Sequence, residues 1–231
     1  MPSLRVATYN IHRCIGTDGC HSPDRTRQVL QQLDARVIAL QEVESGPHHE
    51  DVMMHLSSEP DWQYIDGPTM QREHASYGNA LLTNLPVLEH SRLDLSYRDR
   101  EPRGAIDVRL NSDGNILRVI ATHLGLRPAE RREQIRKLLD WIGPPEEDPA
   151  LTTVLLGDLN EWFLWGRPVK WLRAYFGNTP SLPTFHVRWP LFALDRAWVY
   201  PGHRLQGIET LRTQEARTAS DHFPLVVTLD N

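Results

Sequence analysis

The chain has 231 residues, 40% hydrophobic and 24% charged, with seven tryptophans and a net charge of −5; that composition argues against a disordered chain, and that charge against a protein held on nucleic acid by a general basic surface. No run is long and apolar enough to span a bilayer, and Met1-Pro2-Ser3-Leu4-Arg5 has no secretory-type apolar stretch, so a soluble, cytoplasmic monomer is expected. No Gly/Ser linker, low-complexity tract or internal repeat divides the chain, so residues 1–231 are read as a single domain.

In chain order, Leu4 to Asn10 alternates as a strand does and ends on a polar residue. Pro23-Asp24 opens a helix with Val29, Leu30 and Leu33 on one face. Val37 to Leu40 is a buried strand ending at Gln41-Glu42, and Met53, Met54 and Leu56 indicate a short helix. Trp62 to Ile65 and Ala80 to Leu82 read as strands. Ala105 to Leu110 and Leu117 to Thr122 form a hairpin around Asn111-Ser112-Asp113-Gly114, running out at His123. Pro128 to Ile142 is the clearest helix, with Pro in its first turn and Gly143-Pro144 as its stop. Leu151 to Leu156 is a buried strand, a short helix holds Trp171-Leu172, and Arg196 to Tyr200 and Pro224 to Leu229 are the last strands. Many strands and few helices point to two sheets packed face to face with helices outside.

Cys14 and Cys20 lie in an early loop beside His12 and His21, but the spacing matches no common zinc pattern, and free thiols are expected. Polar residues with useful chemistry recur where strands begin or end: Asn10, Glu42, His123, Asp158, Asn160, Asp195, Asp221 and His222. In Gly157-Asp158-Leu159-Asn160 the Gly permits a turn or a close approach. The carboxylate and carboxamide after it either cap the strand as an Asx turn or reach the sheet rim together, pointing the same way if the chain stays extended. Bringing four carboxylates together costs several kcal/mol each unless something compensates. A bound cation does so, and oxygen ligands without a Cys or His cluster favour Mg²⁺ or Mn²⁺. Histidines beside a hard metal and an Asp/Asn pair suit phosphoester hydrolysis.

Thr8-Tyr9-Asn10-Ile11-His12, Leu40-Gln41-Glu42-Val43, Tyr77-Gly78-Asn79-Ala80-Leu81-Leu82, Thr122-His123-Leu124, Gly157-Asp158-Leu159-Asn160, Leu194-Asp195-Arg196 and Ser220-Asp221-His222 occur in this order. The ordered set resembles the endonuclease/exonuclease/phosphatase superfamily over residues 4–229, and within it the compact bacterial members. The resemblance implies an α/β fold, a four-layer sandwich of two mostly antiparallel β-sheets packed face to face with helices on the outside. It implies Glu42 as main metal ligand, with Asn10 and Asp221 contributing directly or through water. Asp158 would orient or deprotonate the attacking water, and Asn160 would hold that water or a phosphate oxygen. His222, oriented by Asp195, would contact the phosphate or act as base. His123 would stabilise the phosphate or assist the leaving group, and Arg103 would bind phosphate or shape the site. Deoxyribonuclease-like members support the first histidine with a carboxylate. Here the matching segment offers Tyr77 and Asn79, which also fall on the substrate side; a neutral partner raises the imidazole pKa less, so His123 is less readily protonated to serve as general acid.

The expected activity is cleavage of a phosphodiester by an activated water, on a phospholipid, a small diester or nucleic acid. A DNA endonuclease or exonuclease of abasic-site or single-strand type is the first rival, though short insertions leave little room for DNA-gripping loops. A catalytically inactive phosphate- or nucleic-acid-binding module is the second. Residues 161–173 place Trp162, Phe163, Trp165 and Trp171 among Arg167, Lys170 and Arg173. Such a stretch suits base stacking, transient membrane-surface contact, or core packing.

Overall fold

The computed structural model describes residues 3–46, 52–72 and 75–230, so Met1 and Pro2 of the segment entering the first strand lie outside it. Eleven strands form two sheets among the described residues. The first sheet contains β1 (Leu4–Asn10), β2 (Val37–Ser45), β3 (Gln63–Arg72) and β4 (Ala75–Thr83), together with β10 (Leu205–Thr210) and β11 (Leu225–Leu229). Its order is β10-β11-β1-β2-β4-β3. The second contains β5 (Val87–Asp94), β6 (Gly104–Ser112), β7 (Asn115–His123), β8 (Leu151–Asp158) and β9 (Asp195–Tyr200), in that order.

Both sheets are antiparallel except for one central pair each, β1 with β2 and β7 with β8. The parallel pairs decide where chemistry can occur, because parallel neighbours end together. Asn10 lies opposite Gln41, and His123 opposite Asp158.

The central strands are buried on both faces, which is why they read as continuous apolar runs. In β8, Val154 and Leu156 face the other sheet, where they meet Val6, Val37 and Val227. Leu155 faces outward to α3 (Pro128–Ile142) and α4 (Arg167–Phe176), packing with Ile135, Leu138 and Leu172. On the opposite outer face, Tyr9 and Leu40 pack under α1 (Pro23–Gln32), α2 (Val52–Leu56) and α5 (Gln214–Ala219). The result is helix, sheet, sheet, helix: the expected four layers.

Candidate active site

β8 ends through a backbone that only Gly157 accepts. Its φ is +145°, and a Cβ there would sit 1.9 Å from the Thr122 carbonyl oxygen of neighbouring β7. Extended geometry does not persist, because Asn160 has φ +49° and its backbone N–H donates to Asp158 Oδ1 at 2.9 Å. The stretch is therefore an Asx turn and a rim-facing polar pair at once.

Asp158 is buried, and its other oxygen, Oδ2, is the hub of the site. Asn10 Nδ2 donates to it at 3.1 Å, and the Nε2 atoms of His123 and His222 stand 3.6 and 3.8 Å away. Asn10 Nδ2 also donates to Glu42 Oε1 at 3.0 Å, so one carboxamide joins a carboxylate from each sheet. Asn10 Oδ1 accepts the backbone N–H of His12 at 3.0 Å, which fixes the amide with its NH₂ toward the carboxylates. Glu42 reaches this position from a β-bulge between Leu40 and Val43, with its own φ at +57°.

His222 Nδ1 lies 2.7 Å from Asp195 Oδ2, and both residues are buried. Burial alone would depress this imidazole, but Asp195 and Asp158 outweigh it, with a smaller contribution from Asp221. The net value is pushed up to about 10, so His222 is a cation at neutral pH. Burial raises the Asp158 carboxyl to about 6, opposed by the His222 charge and assisted by Asp195.

His123 behaves in the opposite way. Burial, then Arg103, then His222 hold its imidazole well below the ordinary 6.5. Arg103 Nη1 lies 3.0 Å from His123 Nδ1, and a guanidinium only donates, so Nδ1 accepts and the ring proton sits on Nε2. Asn160 Nδ2 lies 3.0 Å from that Nε2 and donates to the Leu124 carbonyl at 2.9 Å. With the ring proton on Nε2 the Asn160 NH₂ cannot donate to it, so Asn160 is held by the Leu124 carbonyl, and the Nε2–H is the one donor His123 presents beside Asp158. The residue beside His123 is therefore Arg103 rather than Tyr77 or Asn79. Asn79 donates to the Gly104 carbonyl at 3.0 Å, bracing the start of β6, and Tyr77 is buried in β4. Arg103 also pairs with Glu101 and lines a cavity of about 300 Å³ between β3, β5 and β6.

Ser220 and Phe185 complete the surroundings of His222. Ser220 Oγ donates to the Asn10 carbonyl at 2.7 Å and accepts from the His222 backbone N–H at 3.2 Å, tying the ends of the two segments together. The Phe185 ring lies 4.8 Å from the His222 ring. Cys14 is buried, Cys20 exposed, and both are free thiols.

A family model for the endonuclease/exonuclease/phosphatase family matches residues 7–222. The chain belongs to the endonuclease/exonuclease/phosphatase family. Members of this family are generally hydrolytic phosphoesterases and typically use divalent metals. The chain is 29% identical to YbhP, an uncharacterized protein of Escherichia coli strain K12, over 96% of this chain and 94% of that one. A family structure from Beutenbergia cavernae superimposes with a TM-score of 0.80 at 22% identity, covering 99% of this chain and 72% of that one. The mannosyl-6-phosphatase of Bacteroides thetaiotaomicron superimposes with a TM-score of 0.76 at 18% identity, covering 99% of this chain and all of that one. These two structures share the fold.

The family's metal fits the donor chemistry here. Glu42, Asp158, Asp195 and Asp221 face one protonated imidazole and an Arg103 already paired with Glu101, leaving negative charge uncompensated. Asp158, Asp195 and His222 form a buried group whose ligand atoms lie within 4.8 Å of one another and could hold an ion. An ion there would compete with the 2.7 Å bond between His222 and Asp195.

The aromatic stretch divides. Val169, Leu172 and Phe176 are core, and Trp171 packs partly against them under the Arg136 guanidinium. Trp162, Phe163, Leu164 and Trp165 are exposed.

Proposed function

We propose that this chain hydrolyses a phosphodiester by in-line attack of water, with Mg²⁺ or Mn²⁺ held by Glu42 and Asp221; Asn10, expected as a further ligand, turns its NH₂ and not its oxygen to the carboxylates, so it positions Glu42 instead of ligating the ion. The observation that carries this reading is the Asn10 carboxamide, which donates to Glu42 at 3.0 Å and to Asp158 at 3.1 Å. It sets the metal-ligand candidate of one sheet beside the water-orienting candidate of the other. The metal, when bound, neutralises phosphoryl oxygen charge.

The remaining work belongs to the chain's own groups. Asp158, ionised above about pH 6, orients the water and receives its proton. His222, already protonated and held by Asp195, contacts a phosphate oxygen and gives its proton to the ester oxygen as the P–O bond breaks, so the leaving group departs as an alcohol. His123 stays neutral and offers its Nε2–H to the oxyanion. Arg103 fixes that tautomer, and the cavity it lines gives room for a non-reacting substituent.

The test is one panel on the purified chain with and without EDTA: a soluble aryl phosphodiester, the matching monoester, phospholipids, and abasic and single-stranded DNA. Metal-dependent turnover of a diester, lost in Asp158→Asn, supports the reading. Turnover confined to DNA would make the chain a nuclease. Turnover confined to the monoester, the chemistry named for the Bacteroides phosphatase, would replace the diester. No turnover and no metal binding would leave a phosphate-binding module.

A further inference from the structure

An apolar surface starts at the catalytic histidine and continues outward. Phe185 lies against the His222 ring, Trp162 lies 5.8 Å from Phe185, and Phe192 lies 4.7 Å from Trp162. Beyond them the exposed side chains are large: Trp165 is 68% accessible, Trp189 80% and Leu191 75%. A backbone turn displays the last two, with Trp189 N–H donating to the His186 carbonyl and Leu191 N–H to the Phe185 carbonyl. Single exposed apolar residues are ordinary; a run of them contiguous with a reaction centre marks an interaction surface.

Charge narrows the partner. From Trp162 to Leu194 the sequence contains no Asp or Glu, although the chain as a whole carries 30 acidic residues in 231. The same interval holds Arg167, Lys170 and Arg188, all exposed and without an ion pair to any described residue. The segment is thus cationic and apolar on a protein whose net charge is −5. Indoles and unpaired cations also suit single-stranded nucleic acid, but Leu164 and Leu191 have no π face on which a base can stack. Leucine side chains beside indoles and cations match a lipid interface, where acyl chains take the leucines, headgroup depth suits Trp, and anionic lipid attracts Arg and Lys.

We propose that the surface formed by Trp162–Trp165 and Trp189–Phe192 docks this protein onto anionic phospholipid bilayers, with the His222 side of the site facing the membrane. The proposal deepens the phosphodiesterase reading by naming where the substrate lies, but docking itself needs no catalysis.

The test is co-sedimentation of the full chain with vesicles of phosphatidylcholine alone and of phosphatidylcholine with phosphatidylglycerol. Binding should favour the anionic vesicles and fall as salt rises. Trp165→Ser with Leu191→Ser should weaken it about tenfold or more, since two apolar side chains leave the interface. The same variant should keep wild-type turnover of a soluble diester, which also reports that it folds. Equal sedimentation of wild type and variant, or binding to a single-stranded oligonucleotide but not to vesicles, would overturn the proposal. If vesicle binding behaves as stated while no diester is cleaved, the docking surface stands and the catalytic reading falls.

Discussion

Glu42 and Asp158 share the Asn10 carboxamide, yet they should fail in different ways when substituted. Glu42→Ala should weaken Mg²⁺ binding at least about tenfold, read by calorimetry. Asp158→Asn keeps the shape and should cut turnover about 10²–10⁴-fold with little change in metal affinity. Unchanged metal binding in Glu42→Ala would remove Glu42 from the ligand set. The histidines make a second pair. With metal chelated, His123 should remain neutral at pH 6.5, where His222 is fully charged, as imidazole nitrogen shifts would report. The His222 value of about 10 exceeds the ordinary 6.5, so its pairing with Asp195 adds stability fully present below pH 6.5 and lost as pH rises through about 10. The Tm gap between wild type and Asp195→Asn, measured in EDTA, should shrink across that window. At this scale the sequence named the polar residues because each ends or precedes an apolar run. The Arg103–His123 contact was not legible. The hairpin reading already sets Ala105 opposite Thr122, but Arg103 lies before β6 begins and no local spacing encodes which way its side chain turns.

Elements were legible where burial was one-sided or complete and obscure where it was neither. The α3 boundaries follow from Pro128 and Gly143, and β8 from its run of branched apolar residues. β5 carries Glu89, His90 and Arg92 along a mostly exposed edge strand, so it has no apolar signature to read. β10 is the opposite edge of the other sheet, and α5 has only six residues. β2 continues to Ser45, past the expected end at Gln41-Glu42, because the bulge breaks its alternation without ending its pairing. The same logic makes Gly157 a test of element packing. Gly157→Ala forces a Cβ into the Thr122 carbonyl, so β7 and β8 must separate where His123 meets Asp158. Stability should fall by about 1–3 kcal/mol or more, by denaturant titration, and turnover should fall further than stability alone explains.

Across the whole molecule the site depends on how the sheets face each other. Leu156, fully buried between them, lies two residues before Asp158. Leu156→Ala should cost about 2–5 kcal/mol of stability, by denaturant titration. A fold of two sandwiched sheets was legible from strand count. The parallel pair at the centre of each was not, because direction is set by which distant strands meet.

The sheet order also sets a timetable. β1 and β11 are neighbours, although nearly the whole chain lies between them, and His222 sits three residues before β11. During synthesis Asn10 emerges early beside an open sheet edge, while Ser220, Asp221 and His222 arrive last. A chain cut short before Asp221 lacks both His222 and the strand that closes the edge. The proposed site is therefore complete only once the last strand is in place.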